Sequence, residues 1–363
     1  MTKNSPGAKL SPSRVKALEN YHLFRQCARC RSVILSKNAK TLYKTMALLY
    51  PDYIEESLLK DGALRVDDPD LAFMLDEKDF VDAREALREE SLIYKSTESG
   101  ILLMNRHHRD AAISRMTMNE RKQALYLSID ILSAHFPDTY SADVGHQAAS
   151  SSYCEKSLPH IESIIKQNEH YKVFEPRNQE FAELLLRCSW YLYEREDYSI
   201  ALSYVEITLK KFDEKGSLPY ASAIDLRGLI NLDICRPTDA LESFKEAYKL
   251  RTAILPDNDP FLAASQVNIG LAYTELGEHE NAREYLQQSI NIRLMHDSDR
   301  IGNSYSIMAS LLLKTGDPSG AEAMLKSCPS LKDFSDETFL KTGNPRFSGY
   351  VLIFDMKCRL FSD

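Results

Sequence analysis

From Asn119 almost to the end of the chain, apolar residues recur every three or four positions, the spacing of a helix with one buried face. Inside this stretch four segments share a finer pattern: LLLRCSWYLYEREDYSIALSYVEITLK, AIDLRGLINLDICRPTDALESFKEAYKL, NIGLAYTELGEHENAREYLQQSINI and YSIMASLLLKTGDPSGAEAMLKSC. They centre on Ala201, Ala240, Ala282 and Ala321, which lie 39, 42 and 39 residues apart. Twelve residues before each alanine stands a small residue: Ser189, Gly228, Gly270 and Ala309. Four or five residues before it stands a turn pair: Glu196-Asp197, Cys235-Arg236, Gly277-Glu278 and Gly316-Asp317. Two antiparallel helices approach closely only where side chains are small. Each segment therefore predicts a helical hairpin in which the small residue of the first helix faces the alanine of the second. One hairpin cannot bury its apolar face alone, so tandem hairpins stack into a superhelix.

The pattern before Asn119 is different. Residues 1–13 hold Ser, Pro and Gly and predict a disordered basic tail. From about Arg14 to Leu49 the spacing suits helices, interrupted near Ser36-Lys37-Asn38. In YPDYIEESLLKDGAL, Pro51 and Asp52 suit a helix start and Gly62 its end. Asp79 to Glu90 predicts another short helix. The period then changes. Leu92 to Tyr94, a turn at Ser99-Gly100, and Ile101 to Met104 predict a two-stranded ribbon. HHRDAAISRM is helical again, and ERKQALYLSIDILSAHFP reads as a helix stopped by Pro137. The expected fold is mainly α: a small winged-helix-like domain with a β-ribbon over 14–115, linking helices over 116–180, a solenoid of helical hairpins over 181–330, and a C-terminal loop with an incomplete repeat helix over 331–363.

Gly270, Tyr273 and Ala282 carry a small residue, a tyrosine and an alanine at the eighth, eleventh and twentieth places of a hairpin. This resembles the tetratricopeptide repeat, and the long connections such as RTAILPDNDP resemble its kinesin-light-chain-like variety. Leu192 and Asn231 stand where the family has Tyr, and Arg227 where it has Leu. The succession LYPDYIEESLL, LREESLIYKSTESGILLMNRHHRDAAISRM, CEKSLPHIESII, hairpins and DETFLKTGNPRFSG resembles the winged-helix and repeat portion of fungal NOD-like (NB-ARC with tetratricopeptide) proteins, over roughly Leu42 to Gly349. The resemblance implies a linker and sensor. It does not carry over ATP binding, because no G-x-x-x-x-G-K-[ST] occurs and no glycine is followed by lysine.

Charge sharpens the picture. The net charge of −8 divides into +8 over the first forty residues, with nine Lys/Arg and Glu19, and −16 over the rest. An acidic body argues against a general nucleic-acid surface, and the stretch DEKDFVDAREALREES would repel phosphate where a winged helix reads DNA. The arm is Arg/Ser-rich and acid-poor, as mitochondrial presequences are, but a solvated tail accounts for it. The seven cysteines are odd in number and scattered, no apolar run is long enough to span a bilayer, and no apolar signal segment opens the chain. A reducing, cytoplasmic setting is expected.

No motif carries chemistry. Cys27 and Cys30 form a CxxC after His22, but no second pair completes a zinc site. His107-His108 reads as one packed and one exposed histidine. The acids at 67–70 and 76–79 lack the alternation and the glycine of a calcium loop. No catalytic, cofactor or metal residue is assigned, and the chain leans away from being an enzyme. What remains is the inner face of the hairpins, where positions two, five, six, nine and twelve point inward. By register these include Arg187, Trp190 and Tyr193, then Asp225 and Leu229, then Asn268, Leu271 and Thr274, then Asn303, Ser306 and Ser310. Asn268 resembles the backbone clamp of related arrays, because an amide offers an extended chain both donor and acceptor. The leading expectation is a scaffold or regulator that binds a peptide or partner protein there, with no nucleic acid. Two others stand beside it: an enzyme or accessory protein of a biosynthetic pathway built on this scaffold, and a regulator pairing with full-length NOD-like homologues. A further copy of the chain is a possible partner through the incomplete C-terminal repeat.

Overall fold

The structure is a computed structural model that describes residues 35–66, 68–96, 100–139, 151–171, 178–296 and 300–329. The chain divides into two compact units: residues 1–136 with 155–175, and residues 137–154 with 176–363.

In the first unit the order is α1 (Lys37–Leu48), β1 (Ile54–Glu55), α2 (Glu56–Arg65), a 3-10 turn (Ala72–Met74), α3 (Glu77–Glu89), β2 (Ile93–Lys95), β3 (Ile101–Met104), α4 (Arg106–Arg115) and α5 (Met118–His135). Caps set the helix starts: Ser36 accepts from the Ala39 amide, Asp76 from Asp79, and Thr117 with Glu120 forms a capping box. Asp76, one of the acids of the 76–79 cluster, is thus a helix cap.

Three expectations are corrected here. The ribbon is a three-stranded antiparallel sheet in the order β1-β3-β2, with Ile54 opposite Leu102 and Ile93 opposite Met104. Pro51-Asp52 therefore turns the chain into β1, and α2 starts only after it. Gly62 does not end α2. It lies inside the helix, where a Cβ would come within 2.6 Å of Ile131 Cγ2 and 2.9 Å of the Ile131 backbone, so the glycine lets α5 approach. Leu42, Met46, Leu59, Phe80, Leu87, Leu102 and Leu132 fill the core between these elements.

Helix α6 (Ser151–Tyr171) contributes its latter part to this unit. Ser163 donates to the Leu48 carbonyl at 2.8 Å. The Tyr50 amide donates to Nδ1 of His160 at 3.1 Å. His160 is buried, and that burial pushes its pKa down to about 4.

The second unit holds four hairpins: α7 (Asn178–Glu194) with α8 (Tyr198–Lys211), α9 (Leu218–Asp233) with α10 (Pro237–Thr252), α11 (Pro260–Leu276) with α12 (His279–Met295), and α13 (Ile301–Lys314) with α14 (Pro318–Ser327). At each hairpin turn one residue is left-handed: Glu196 (φ 63°), Cys235 (φ 60°), Gly277 (φ 76°) and Gly316 (φ 81°). Among the described residues of this unit there is no strand. The C-terminal loop and incomplete helix expected over 331–363 lie outside the described residues, as do the basic tail and the Cys27–Cys30 pair.

Candidate partner-binding face

At the two glycines the close approach involves the residue one turn past the paired alanine, and at Gly270 also the carbonyl of Ala282 itself, 3.3 Å from a Cβ. A Cβ on Gly228 would fall 2.4 Å from the Phe244 ring, and one on Gly270 would fall 2.7 Å from Leu286 Cγ. Phe244 and Leu286 are four residues beyond Ala240 and Ala282, so the gap left by the glycine is filled one turn past the alanine. The alanines and these larger partners are all fully buried. The first helices of successive hairpins also pack on one another, α7 on α9, α9 on α11 and α11 on α13. They form one layer of the stack.

Across the second and third hairpins that layer is locked by a buried polar network. Arg251 on α10 donates to Asp225 on α9 at 3.1 Å, to Ser265 on α11 at 2.6 Å and to Ser222 on α9 at 3.3 Å. Asn268 on α11 donates through Nδ2 to both carboxylate oxygens of Asp225, at 3.1 and 3.2 Å. The side chains of Arg251 and Asp225 are only 6% and 7% exposed. A desolvated pair of this kind is tolerated because hydrogen bonds satisfy both partners. One carboxylate thereby ties three helices together.

The residues singled out from sequence are distributed as follows. Asp225 and Asn268 are brought together, bonded to each other. Asn268 is half-buried, and its Oδ1 makes no bond among the described residues. Trp190 is half-buried, meets Tyr193 edge-on at 5.8 Å between ring centroids, and its buried Nε1 has no hydrogen-bond partner among the described residues. Tyr193 is itself buried and also stacks on Tyr198. Arg187 is half-buried, and its carbonyl accepts from Thr139 at 2.6 Å. Leu229 and Leu271 are half-buried against the core, and Ser310 is half-buried. Thr274 is buried and bonded to the Gly270 carbonyl, and Ser306 likewise to Gly302, both at 2.8 Å. Asn303 is exposed.

Among the described residues no three His, Cys, Asp or Glu side chains are placed to hold a metal ion. Burial raises the thiols of Cys188 and Cys154, the latter to about 12, which leaves them un-ionised and unreactive. His107 is exposed and His108 half-buried. Among the described residues no helix is long and apolar enough to cross a membrane.

The tetratricopeptide-repeat family matches residues 220–295 and again 261–328, the span of the second to fourth hairpins. These hairpins are tetratricopeptide repeats. A domain of unknown function (DUF7779) matches residues 32–121, within the first unit. Among solved structures the chain is similar to apo RapI, at 16% identity and a TM-score of 0.50, covering 85% of this chain and 72% of that one. It is also similar to aspartyl phosphate phosphatase F from Bacillus subtilis, at 12% identity and a TM-score of 0.47, covering 89% and 79%. Repeats of a putative kinesin light chain from Podosopora anserina match at 13% identity and a TM-score of 0.42, covering 52% of this chain and 93% of that one. No curated protein matches in sequence. At these identities the likeness is one of fold.

Within the tetratricopeptide frame, the residue that sequence reasoning missed is Arg251. It stands eleven residues after Ala240, and Arg293 stands eleven after Ala282. An arginine recurring at one register position of a buried helix was the available signal.

Proposed function

We propose that the chain is a non-catalytic interaction scaffold whose tetratricopeptide inner face binds an extended peptide or a partner helix. One observation carries this reading: Asp225, itself fixed by Arg251, holds Asn268 by its Nδ2 and leaves its Oδ1 without a bond among the described residues. An amide pre-set in this way accepts from a peptide backbone at little entropic cost. Half-buried Trp190 supplies an aromatic anchor in the first hairpin, and exposed Asn303 supplies a polar contact in the fourth.

The test is selection of peptides from a displayed random library on the full chain, followed by titration of the winners against Asn268→Ala and Trp190→Ala. Loss of about tenfold or more in affinity is expected for each, with the helical content unchanged. Equal affinity in both variants would show that the peptides bind elsewhere.

The first unit reads as a winged-helix-like module, supported by its helix–strand–helix–helix–strand–strand order and by the strand order β1-β3-β2. It is not read as a DNA reader. Helix α3 carries Glu77, Asp79, Asp82, Glu85 and Glu89, and its two arginines are engaged by Glu56 and Glu85. No mobility shift with duplex DNA is expected at 0.15 M salt.

A further inference from the structure

Among the described residues of the first unit, β2 has a strand on one side only, because the sheet runs in the order β1-β3-β2. The ladder fixes which of its backbone groups are left over. The Ser96 amide donates to the Ile101 carbonyl at 2.9 Å, so those two residues form a hydrogen-bonded pair. Antiparallel pairs alternate, which makes Tyr94–Leu103 the next bonded pair. Ile93–Met104 and Lys95–Leu102 fall between and are not bonded to each other. On β3 the groups so released turn towards β1 and its approach, where the Met104 amide donates to the Pro51 carbonyl at 2.8 Å. On β2 the amides and carbonyls of Ile93 and Lys95 turn outward, and no backbone partner meets them among the described residues.

A cleft of about 320 Å³ opens between this strand and the last turns of α3, lined by Ile93, Tyr94 and Lys95 and by Glu85, Arg88 and Glu89. Sheet edges are commonly guarded by a free lysine. Lys95 does not serve in that way, because Glu56 holds its Nζ at 3.1 Å. Tyr94 is 48% exposed and offers its ring to a neighbouring strand. The charge left over at the cleft is negative. Arg88 is paired with Glu85 at 2.6 Å, and Arg84 with Glu56 at 3.0 Å. Glu89, in the last turn of α3, and its C-cap Glu90 are exposed and have no ion pair among the described residues. They stand at the negative end of the helix dipole, where a carboxylate is disfavoured and a cation favoured. Open ladder groups match an extended backbone, and the two carboxylates match a basic side chain on it.

We propose that the open edge of β2 docks an extended segment of a partner protein, which joins the sheet as a fourth strand and sets a lysine or arginine beside Glu89 and Glu90. The site lies in the stretch matched by the domain of unknown function and does not rest on the hairpin reading above.

Two measurements on the full chain test it. Amide hydrogen exchange of the free protein, followed residue by residue by NMR, tests the edge itself. The Tyr94 amide is expected to be protected, and those of Ile93 and Lys95 to exchange at least about tenfold faster. Equal protection of all three would show that another segment already covers the edge, the chain's own basic arm included, and would overturn the site. Binding is tested with displayed random peptides selected on the full chain, keeping those whose affinity Asn268→Ala leaves unchanged. These are expected to carry Lys or Arg. Lys95→Pro removes one outward amide and spares the β2–β3 ladder, so it is expected to weaken them about tenfold, while Lys95→Thr keeps the amide and leaves them within about twofold. Methylating alternate amides of the peptide needs no change in the protein: one of the two alternate sets is expected to abolish binding and the other to preserve it. Glu89→Gln/Glu90→Gln is expected to erase the preference for Lys or Arg over Gln in the peptide. Recovery of no such peptide, equal effects of the two methylation sets, or a basic preference that survives the double glutamine variant overturns the proposal.

Discussion

Removing the carboxylate of Asp225 is the most demanding test of the layer of first helices. Asp225→Ala deletes the 3.1 Å pairing with Arg251 and both bonds from Asn268. Arg251 is 5% exposed as a residue and would keep only the Ser265 and Ser222 hydroxyls. Breaking a buried pair from one side costs about 3–5 kcal/mol, because the remaining charge is left uncompensated. Removing both charges has the opposite expectation. Asp225→Leu/Arg251→Met replaces the pair by apolar groups of similar length, which is near neutral or stabilising in comparable cases. The loss of Asn268's acceptor offsets part of that gain by about 1 kcal/mol. The double variant is therefore expected within about 2 kcal/mol of the parent, well above Asp225→Ala alone. Urea unfolding followed by far-UV circular dichroism measures both, with the slope checked for loss of cooperativity between repeats. A single variant costing less than about 1 kcal/mol would refute the argument. So would a double variant as unstable as the sum of its singles.

Three further outcomes follow from local geometry. Cys235→Gly and Glu196→Gly place glycine where φ is 60° and 63°, and each is expected to raise stability by about 0.5–1 kcal/mol in the same urea assay. Gly270→Ala puts a methyl 2.7 Å from Leu286 Cγ. Its overpacking cost of about 1–3 kcal/mol exceeds the helix-propensity gain of about 1, so net destabilisation is expected, and a neutral result would mean that α11 and α12 sit further apart. His160 is neutral in the fold with its pKa depressed to about 4, against 6.5 when unfolded. The unfolded chain then takes up the proton first. Stability is full above pH 6.5 and falls as pH drops towards 4, by up to about 3 kcal/mol, and His160→Gln should flatten that slope.

The hairpins were legible in the sequence because their determinants are local. Ala282, Gly270 and the Gly277 turn lie within a dozen residues of one another, and each specifies backbone approach or handedness by its own chemistry. The first unit was less so. Ile54–Glu55 is too short to show an alternating pattern, and it becomes a strand only because β3, nearly fifty residues later, pairs with it. Gly62 resembled a helix stop because a close approach by α5 leaves no local trace. The polar network was the least legible part. Arg251 reads as an ordinary charge near a helix end, and its meaning depends on Asp225 and Ser265, brought together by stacking. For the same reason Asn268 and Asp225 were both found by register while Arg251, which fixes Asp225, was not. Thr274 and Ser306 show the limit of register alone: hydroxyls at inward-pointing positions turn back to their own helix backbone.

The left-handed turns bear on how this scaffold tolerates added sequence. Within each hairpin only two or three residues separate the helices, and one of them is committed to a positive φ. Between hairpins the connections at 212–217 and 253–259 carry no residue in that conformation. An epitope, a fluorescent reporter or a whole domain spliced at one of these junctions leaves every helix pair intact and merely hangs from the rim. The same insertion at Glu196 or Cys235 separates two helices that must cross within reach of a single glycine-sized gap. The array thus has a grammar of permitted and forbidden splice points, written by the handedness of four residues.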